Sequence, residues 1–231
     1  MGLDYLVFLG SARDSTPPRP ARLGQRVACA CAHALEQRGH TVRIIDPLDL
    51  DLGPVFKPHF AFAKGAAPDA LQALADRIAA ADGYVMVSPE YNHSLSPALI
   101  HLLNHFASSA FAFKPSVIAT YSAGQWGGVR AAVAMRAFLS EMGCLPVSAM
   151  IHTPRAQEVF GEDGGYLAGV DAERWDGYLA RAFDQLDWWA DAARTQRKAK
   201  ARPRRPSTAH PPSATRPSGN QRAVNGRNHP H

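Results

Sequence analysis

Gly83-Tyr84-Val85-Met86-Val87-Ser88-Pro89-Glu90-Tyr91-Asn92-His93-Ser94-Leu95-Ser96-Pro97-Ala98-Leu99 is the stretch on which the fold turns. An apolar run of strand length breaks into a polar turn at residues 88–94 and restarts as a helix at Pro97, which suits the first helical turn. A strand that ends in a polar turn and resumes as a helix forms a ligand edge in open α/β sheets. Two more strand ends carry similar equipment. Gly10-Ser11-Ala12-Arg13-Asp14-Ser15 closes the first strand, and Tyr121-Ser122-Ala123-Gly124-Gln125-Trp126-Gly127-Gly128 closes the fourth.

Outward from there, apolar runs alternate with amphipathic stretches. The pattern predicts strands over 5–9, 41–45, 84–87, 116–121 and 145–151, and helices over 23–38, 67–81, 97–106, 129–142 and 172–193. Gly39 and Gly143 stand just past two helix ends, where the left-handed cap favours glycine. Near-continuous apolar strands imply a sheet covered on both faces, and hence parallel pairing through right-handed crossovers. The expected architecture is a three-layer α/β sandwich, doubly wound and flavodoxin-like, with a five-stranded parallel sheet in the order 2-1-3-4-5.

Charge divides the chain at residue 194. The net charge is +5 over 231 residues, yet nine of the 25 Lys and Arg and none of the 20 acids lie beyond Arg194. Residues 1–194 read as one mildly acidic domain. Residues 195–231, rich in Pro, Arg, Ser, Asn and His, read as a disordered basic tail. Such an arm attracts polyanions weakly and without sequence readout.

The three cysteines lack disulfide or metal spacing: Cys29 and Cys31 sit about 200° apart around one helix, and Cys144 reads as a small buried residue. No stretch is long enough to span a bilayer. The first strand begins too early for a signal peptide, so a cytoplasmic location without membrane contact is expected.

The first loop has hydroxyls at Ser11, Ser15 and Thr16 and a charge at Arg13, placed before a helix start where unpaired N–H groups receive anions. It lacks both G-x-x-x-x-G-K-[ST] and G-x-G-x-x-G, so a monophosphate suits it better than a triphosphate or dinucleotide. A plain helix cap at Ser15 or Thr16 is the structural alternative. The second loop offers main-chain groups, the Tyr91 ring and the Asn92 amide to a flat heteroaromatic ring, with Glu90 read as ordering the turn. In the third, Gly124, Gly127 and Gly128 allow close main-chain approach, and Ser122 has a hydroxyl to donate; a glycine-rich hinge is the alternative. His101 and His105 share a helix face but show no third ligand, so a solvent-facing or interface pair is expected rather than a metal site. Asp46, followed by Pro47, reads as a turn cap. Trp175, Trp188 and Trp189 read as packing on the last helix.

With these loops in order, the chain resembles the NADPH-dependent FMN reductase family, a flavodoxin-like group that includes quinone, azo-dye and chromate reductases. The likeness covers residues 4–163. It rests on G-S-x-R at Gly10, Ser11 and Arg13; on Arg22-Leu23-Gly24 followed by Val27-Ala28; and on S-P-E-Y-N-H-S at 88–94. Further matches are Lys114-Pro115 and S-x-G-x-x-G-G at Ser122, Gly124, Gly127 and Gly128, with Arg130-Ala131 behind it. The family's L-K-N-x-L-D reads Leu99-Ile100-His101-Leu102-Leu103-Asn104 here.

The resemblance implies that Ser11 and Arg13 hold the phosphate of FMN, with Ser15, Thr16, Arg19 or Arg22 completing that pocket. Pro89, Glu90, Tyr91 and Asn92 would line the isoalloxazine, and Ser122, Gly124, Gly127 and Gly128 would close its other side. It implies an NAD(P)H oxidoreductase, with NADPH or NADH as hydride donor and a quinone-like or other small molecule as acceptor. No catalytic side chain is then required, because the flavin carries the chemistry. A homodimer or tetramer is expected. The alternative is a non-catalytic flavin-binding carrier, sensor or interaction module, motivated by the altered helix after the second loop.

Overall fold

The computed structural model describes residues 2–13, 22–53 and 55–201. In chain order it contains β1 (Asp4–Leu9), α1 (Leu23–Gln37), β2 (Thr41–Ile45), α2 (Asp69–Ala80), β3 (Gly83–Pro89), α3 (Pro97–Asn104), α4 (Ser108–Phe111), β4 (Pro115–Tyr121), α5 (Val129–Glu141), β5 (Leu145–Pro146), β6 (Ile151–Thr153), α6 (Ala156–Val159) and α7 (Ala172–Ala199). The strands pair in parallel in the order β2-β1-β3-β4-β5, and β6 also pairs β4. This is the doubly wound, flavodoxin-like sheet the sequence pattern predicted.

The two-residue period of the strands divides the core. Tyr5, Val7, Leu9, Val85, Val87, Val117 and Ala119 face α1 and α7, meeting Val27, Leu35, Phe183 and Leu186. Leu6, Phe8, Tyr84, Met86 and Ile118 face the opposite way, toward Leu74, Ile78, Leu99, Leu103 and Met135. Register runs straight across the centre, with Phe8 beside Met86 and Met86 beside Ile118. As a result the carboxyl ends of β1, β3 and β4 finish side by side.

The fifth strand differs from the expected 145–151. The partner of β4 changes from Ser116↔Pro146 to Ala119↔Ile151, so two extra residues bulge out between β5 and β6. The bulge is gripped from both faces of the sheet. Arg136 of α5 donates to the carbonyls of Pro146 (3.2 Å) and Val147 (2.9 Å). Gln185 of α7 accepts from the Ala149 N–H at 3.1 Å and from the Ser148 hydroxyl at 2.9 Å. Main-chain groups that lost ladder partners are thereby satisfied.

Helix α7 also runs past residue 194, to Ala199. Its last turns are tied to the sheet by Asp82, which meets Arg197 at 2.7 Å and Arg194 at 3.7 Å. The helix therefore continues into residues whose composition had read as tail; residues 202–231 lie outside the described residues. Trp175 packs edge-on against Phe160. Trp188 and Trp189 instead project outward as an exposed edge-to-face pair, because the buried stripe of α7 passes through Leu179, Phe183, Leu186 and Ala190. Among the described residues no helix is long and apolar enough to cross a membrane.

Candidate functional site

A cleft of about 300 Å³ opens at the carboxyl edge of the sheet. Ser11, Arg13, Arg22 and Leu23 line it from the first loop and the start of α1, Pro89, Glu90 and Tyr91 from the second loop, and Tyr121, Ser122 and Ala123 from the end of β4. The structure thus brings together Ser11, Arg13, Pro89, Glu90, Tyr91 and Ser122 of the sequence-derived set. Ser15, Thr16 and Arg19 lie outside the described residues. Asn92, Gly124, Gly127 and Gly128 belong to the same loops but are not among the residues that line the cleft.

The second loop is a tight hairpin. Tyr91 and Ser94 exchange both main-chain hydrogen bonds, at 2.9 and 2.8 Å, and the two residues between them, Asn92 and His93, have φ of 48° and 62°. Two successive positive φ values define a type I′ turn, which Asn tolerates better than most side chains. The turn projects the half-exposed Tyr91 ring while Glu90 points inward. The Glu90 carboxylate accepts from the Arg130 side chain at 2.7 Å and from the Arg130 main-chain N–H at 3.3 Å. Burial alone would raise its pKa, but Arg130 and the N–H groups at the start of α5 hold it below the usual value. Glu90 thereby ties the second loop to the start of α5.

In the third loop the Ser122 hydroxyl donates to the Gly124 carbonyl (2.8 Å) and accepts the Gly127 N–H (2.9 Å). Its proton is spent inside the loop rather than left for a ligand. Gly127 and Gly128 have φ of 61° and 76°; a Cβ on Gly128 would stand 2.9 Å from that of Thr120, and one on Gly127 would stand 3.0 Å from the Pro154 nitrogen. The close approach that these glycines permit is therefore to the sheet. Trp126, between them and Gly124, is 59% exposed.

The floor of the cleft holds two residues outside the sequence-derived set or left open in it. Tyr121 is almost wholly buried, and burial pushes its pKa up although Ser11 and the Gly24 main chain act to lower it, so the phenol stays neutral. Arg22 stands at the start of α1 with φ 53°. Its guanidinium makes two 2.7 Å contacts to Asp46 and one of 2.6 Å to the Ser11 carbonyl. Its Nε is buried with no hydrogen-bond partner among the described residues. Asp46 also accepts from the Leu48 N–H at 2.9 Å, the turn cap that Pro47 suggested. Sequence signals for this floor existed, a Tyr at a strand end and an Arg before a helix, but neither indicates burial.

His101 on α3 and His105 just past its end are not among the residues that line the cleft. His105 is fully buried rather than solvent-facing, because Phe56 packs edge-on over it at 4.7 Å. Burial and the neighbouring His105 hold the His101 pKa below its ordinary value.

A cleft with a cationic floor, walled by three loops at the carboxyl edge of a doubly wound sheet, defines a flavodoxin-like ligand-binding domain. Residues 4–158 match the model of the NADPH-dependent FMN reductase family, and the chain belongs to that family. Over 72 residues it is 36% identical to an NADPH azoreductase of Bacillus sp. (strain OY1-2), and over 75 residues 40% identical to a quinone reductase of Escherichia coli (strain K12). Each match spans 31% of this chain and 40% of the relative. The fold is similar to FerB, a flavoenzyme NAD(P)H:(acceptor) oxidoreductase from Paracoccus denitrificans, with TM-score 0.61, 19% identity and coverage of 80% of this chain and 97% of that one. An oxidoreductase from Corynebacterium diphtheriae is similar at TM-score 0.57 and 19% identity, over 83% of this chain and 98% of that one.

Proposed function

We propose that this protein binds FMN in the cleft and acts as an NAD(P)H oxidoreductase, passing electrons from NADPH or NADH through the flavin to a quinone-like or other small acceptor. One observation carries the reading: Ser11 and two arginines share a single cleft with an aromatic ring and loop residues of the second and third loops. Ser11, Arg13 and Arg22 gather at the start of α1, the positive end of that helix. The buried, unpartnered Nε of Arg22 is the kind of group a phosphate oxygen satisfies. The same cleft is lined by Pro89 and the Tyr91 ring from the second loop and by Ser122 and Ala123 from the end of β4, groups that suit a planar heteroaromatic ring. The cleft residues fit FMN on both counts, whereas an unphosphorylated flavin offers the arginines no phosphate.

In this reading Ser15 and Thr16 add hydroxyls to the phosphate and Asn92 reaches the ring edge. Gly124 contributes main chain, and Gly127 and Gly128 act through the shape of the loop. When bound, the flavin supplies the redox chemistry, taking a hydride from NAD(P)H and yielding two electrons to the acceptor. The protein's residues bind and orient. Glu90 is committed to Arg130 and Tyr121 is held neutral, so neither is required to move a proton. Donor and acceptor use the same open side of the cleft in turn, which gives ping-pong kinetics. A homodimer or tetramer is the working unit in this reading. The family match and the azoreductase and quinone reductase relatives support the oxidoreductase reading.

The test is a visible absorption spectrum of the purified protein, with FMN added if it is colourless, followed by anaerobic NADPH. A bound yellow flavin that bleaches is the expected result. Flavin that binds but resists both NADPH and NADH would refute the oxidoreductase reading, and no flavin binding would refute the site.

A further inference from the structure

Outside the cleft, the strongest unused chemistry is the His101–His105 pair near the end of α3. A spacing of four places two helical side chains one above the other, and here the ring centroids are 4.6 Å apart. The Nδ1 of His105 lies 2.8 Å from the His101 carbonyl. A carbonyl only accepts, so this bond puts a proton on Nδ1, and in the neutral imidazole Nε2 is then the lone pair. That Nε2 is buried and has no partner among the described residues. An imidazole whose one N–H is tied to a backbone carbonyl, with the other nitrogen free, is oriented as metal-binding histidines are.

Phe56 covers the pair, with its ring 4.7 Å from that of His105 and 5.9 Å from that of His101. It is itself 51% exposed, so displacing it forfeits only the buried half of its own surface. The segment beneath it is held independently, because the His59 N–H donates to the His105 carbonyl at 2.7 Å and the His59 ring bonds Gln72 at 2.9 Å. Phe56 can therefore swing away without the strand of chain around it coming loose.

We propose that His101 and His105 form a two-nitrogen chelate for a divalent transition-metal ion of the Ni²⁺ or Zn²⁺ type, with the Phe56 ring as its removable cover. Imidazole nitrogens select such ions over Mg²⁺ and Ca²⁺, which require oxygen ligands. Among the described residues no group of three or more His, Cys, Asp or Glu is placed to hold an ion. The protein thus supplies two ligands and water completes the coordination shell.

Calorimetric titration of the full chain with NiCl₂ tests the site. The sequence also has histidines at His210, His229 and His231, outside the described residues, so variants must isolate the event. His101→Gln and His105→Gln should each weaken it by at least the roughly tenfold that loss of even an outer-shell partner costs. Phe56→Ala should strengthen it severalfold by removing the cover. His101 is exposed, so His101→Gln remains informative even if His105→Gln does not fold. A His101→Gln isotherm that superimposes on the wild type overturns the proposal, as does weaker Ni²⁺ binding by Phe56→Ala.

Discussion

Glu90 and Arg130 meet at 2.7 Å beside the cleft that Glu90 lines, joining the second loop to the helix that follows the third. The two loops approach from different strands, and β3 and β4 fix only where each begins. The ion pair sets the spacing beyond the strand ends. It also places a carboxylate at the positive end of α5, where the unpaired N–H groups favour it.

Replacing Glu90 by Gln should cost little at neutral pH, about 0.5 kcal/mol, because Arg130 is half exposed and the pair is screened. The sign with pH is definite. A carboxyl whose folded pKa is depressed contributes stability above the ordinary glutamate value and loses it as pH falls through the folded one. Urea unfolding should therefore separate wild type from Glu90→Gln at pH 7, and the difference should close below about pH 4. A gap that widens on acidification would show that the pair does not depress the Glu90 pKa.

Arg13 yields a sharper test of the proposed site. Arg13→Ala should weaken FMN by about tenfold or more, the scale of one hydrogen bond to a charged group, while riboflavin binding stays within about twofold, because only FMN carries the phosphate. Fluorescence titration of the apoprotein with both flavins measures the ratio. Equal losses for the two would remove Arg13 from the phosphate site.

The sequence carried much of this arrangement, and its failures have a common cause. Helices and central strands were legible because periodicity and caps are local: Gly39 and Gly143 do take φ of 83° and 84° past their helices. The β5–β6 bulge was not, because residues 145–151 keep a strand-like composition while the groups that hold the bulge, Arg136 and Gln185, are remote in sequence. The same holds in the cleft. Strand-end loops announced Ser11, Pro89 and Tyr91, but the locking of Arg22 by Asp46 requires two segments to meet, and nothing local marks it. The commitment of the Ser122 hydroxyl to its own loop was likewise invisible until the loop's shape was known.

Lys114 makes the case for a buried charge that serves the fold alone. Fully buried, its ammonium donates to the carbonyls of Ile78 (2.5 Å) and Ala79 (2.7 Å), in the last turn of α2, and to the Ala110 carbonyl (3.2 Å) and the Tyr84 hydroxyl (3.1 Å). Lys114→Met fills the same space but leaves those acceptors in an apolar surround. It should destabilise the protein by about 2–3 kcal/mol, read as a lowered denaturation midpoint with an unchanged slope. Unaltered stability would mean that water replaces the ammonium.

Gly24 and Tyr121 offer a prediction in which two losses should not add. A Cβ on Gly24 would stand 2.5 Å from the Tyr121 hydroxyl oxygen and 2.9 Å from the ring carbon that bears it. Gly24→Ala must therefore push α1 back or drive Tyr121 off the cleft floor, costing about 1–3 kcal/mol by overpacking. Tyr121→Phe alone removes a nearly buried hydroxyl, at a cost of about 1 kcal/mol. In the double variant the phenylalanine has already removed the atom that the new methyl group strikes. Its cost should fall short of the sum by about 1 kcal/mol or more, the coupling expected of residues in direct contact. Chemical denaturation of the four proteins measures this coupling. Strict additivity would place the Tyr121 hydroxyl away from α1 and the floor of the cleft with it. A clear coupling would fix the Tyr121 hydroxyl against the helix start that the phosphate is proposed to meet.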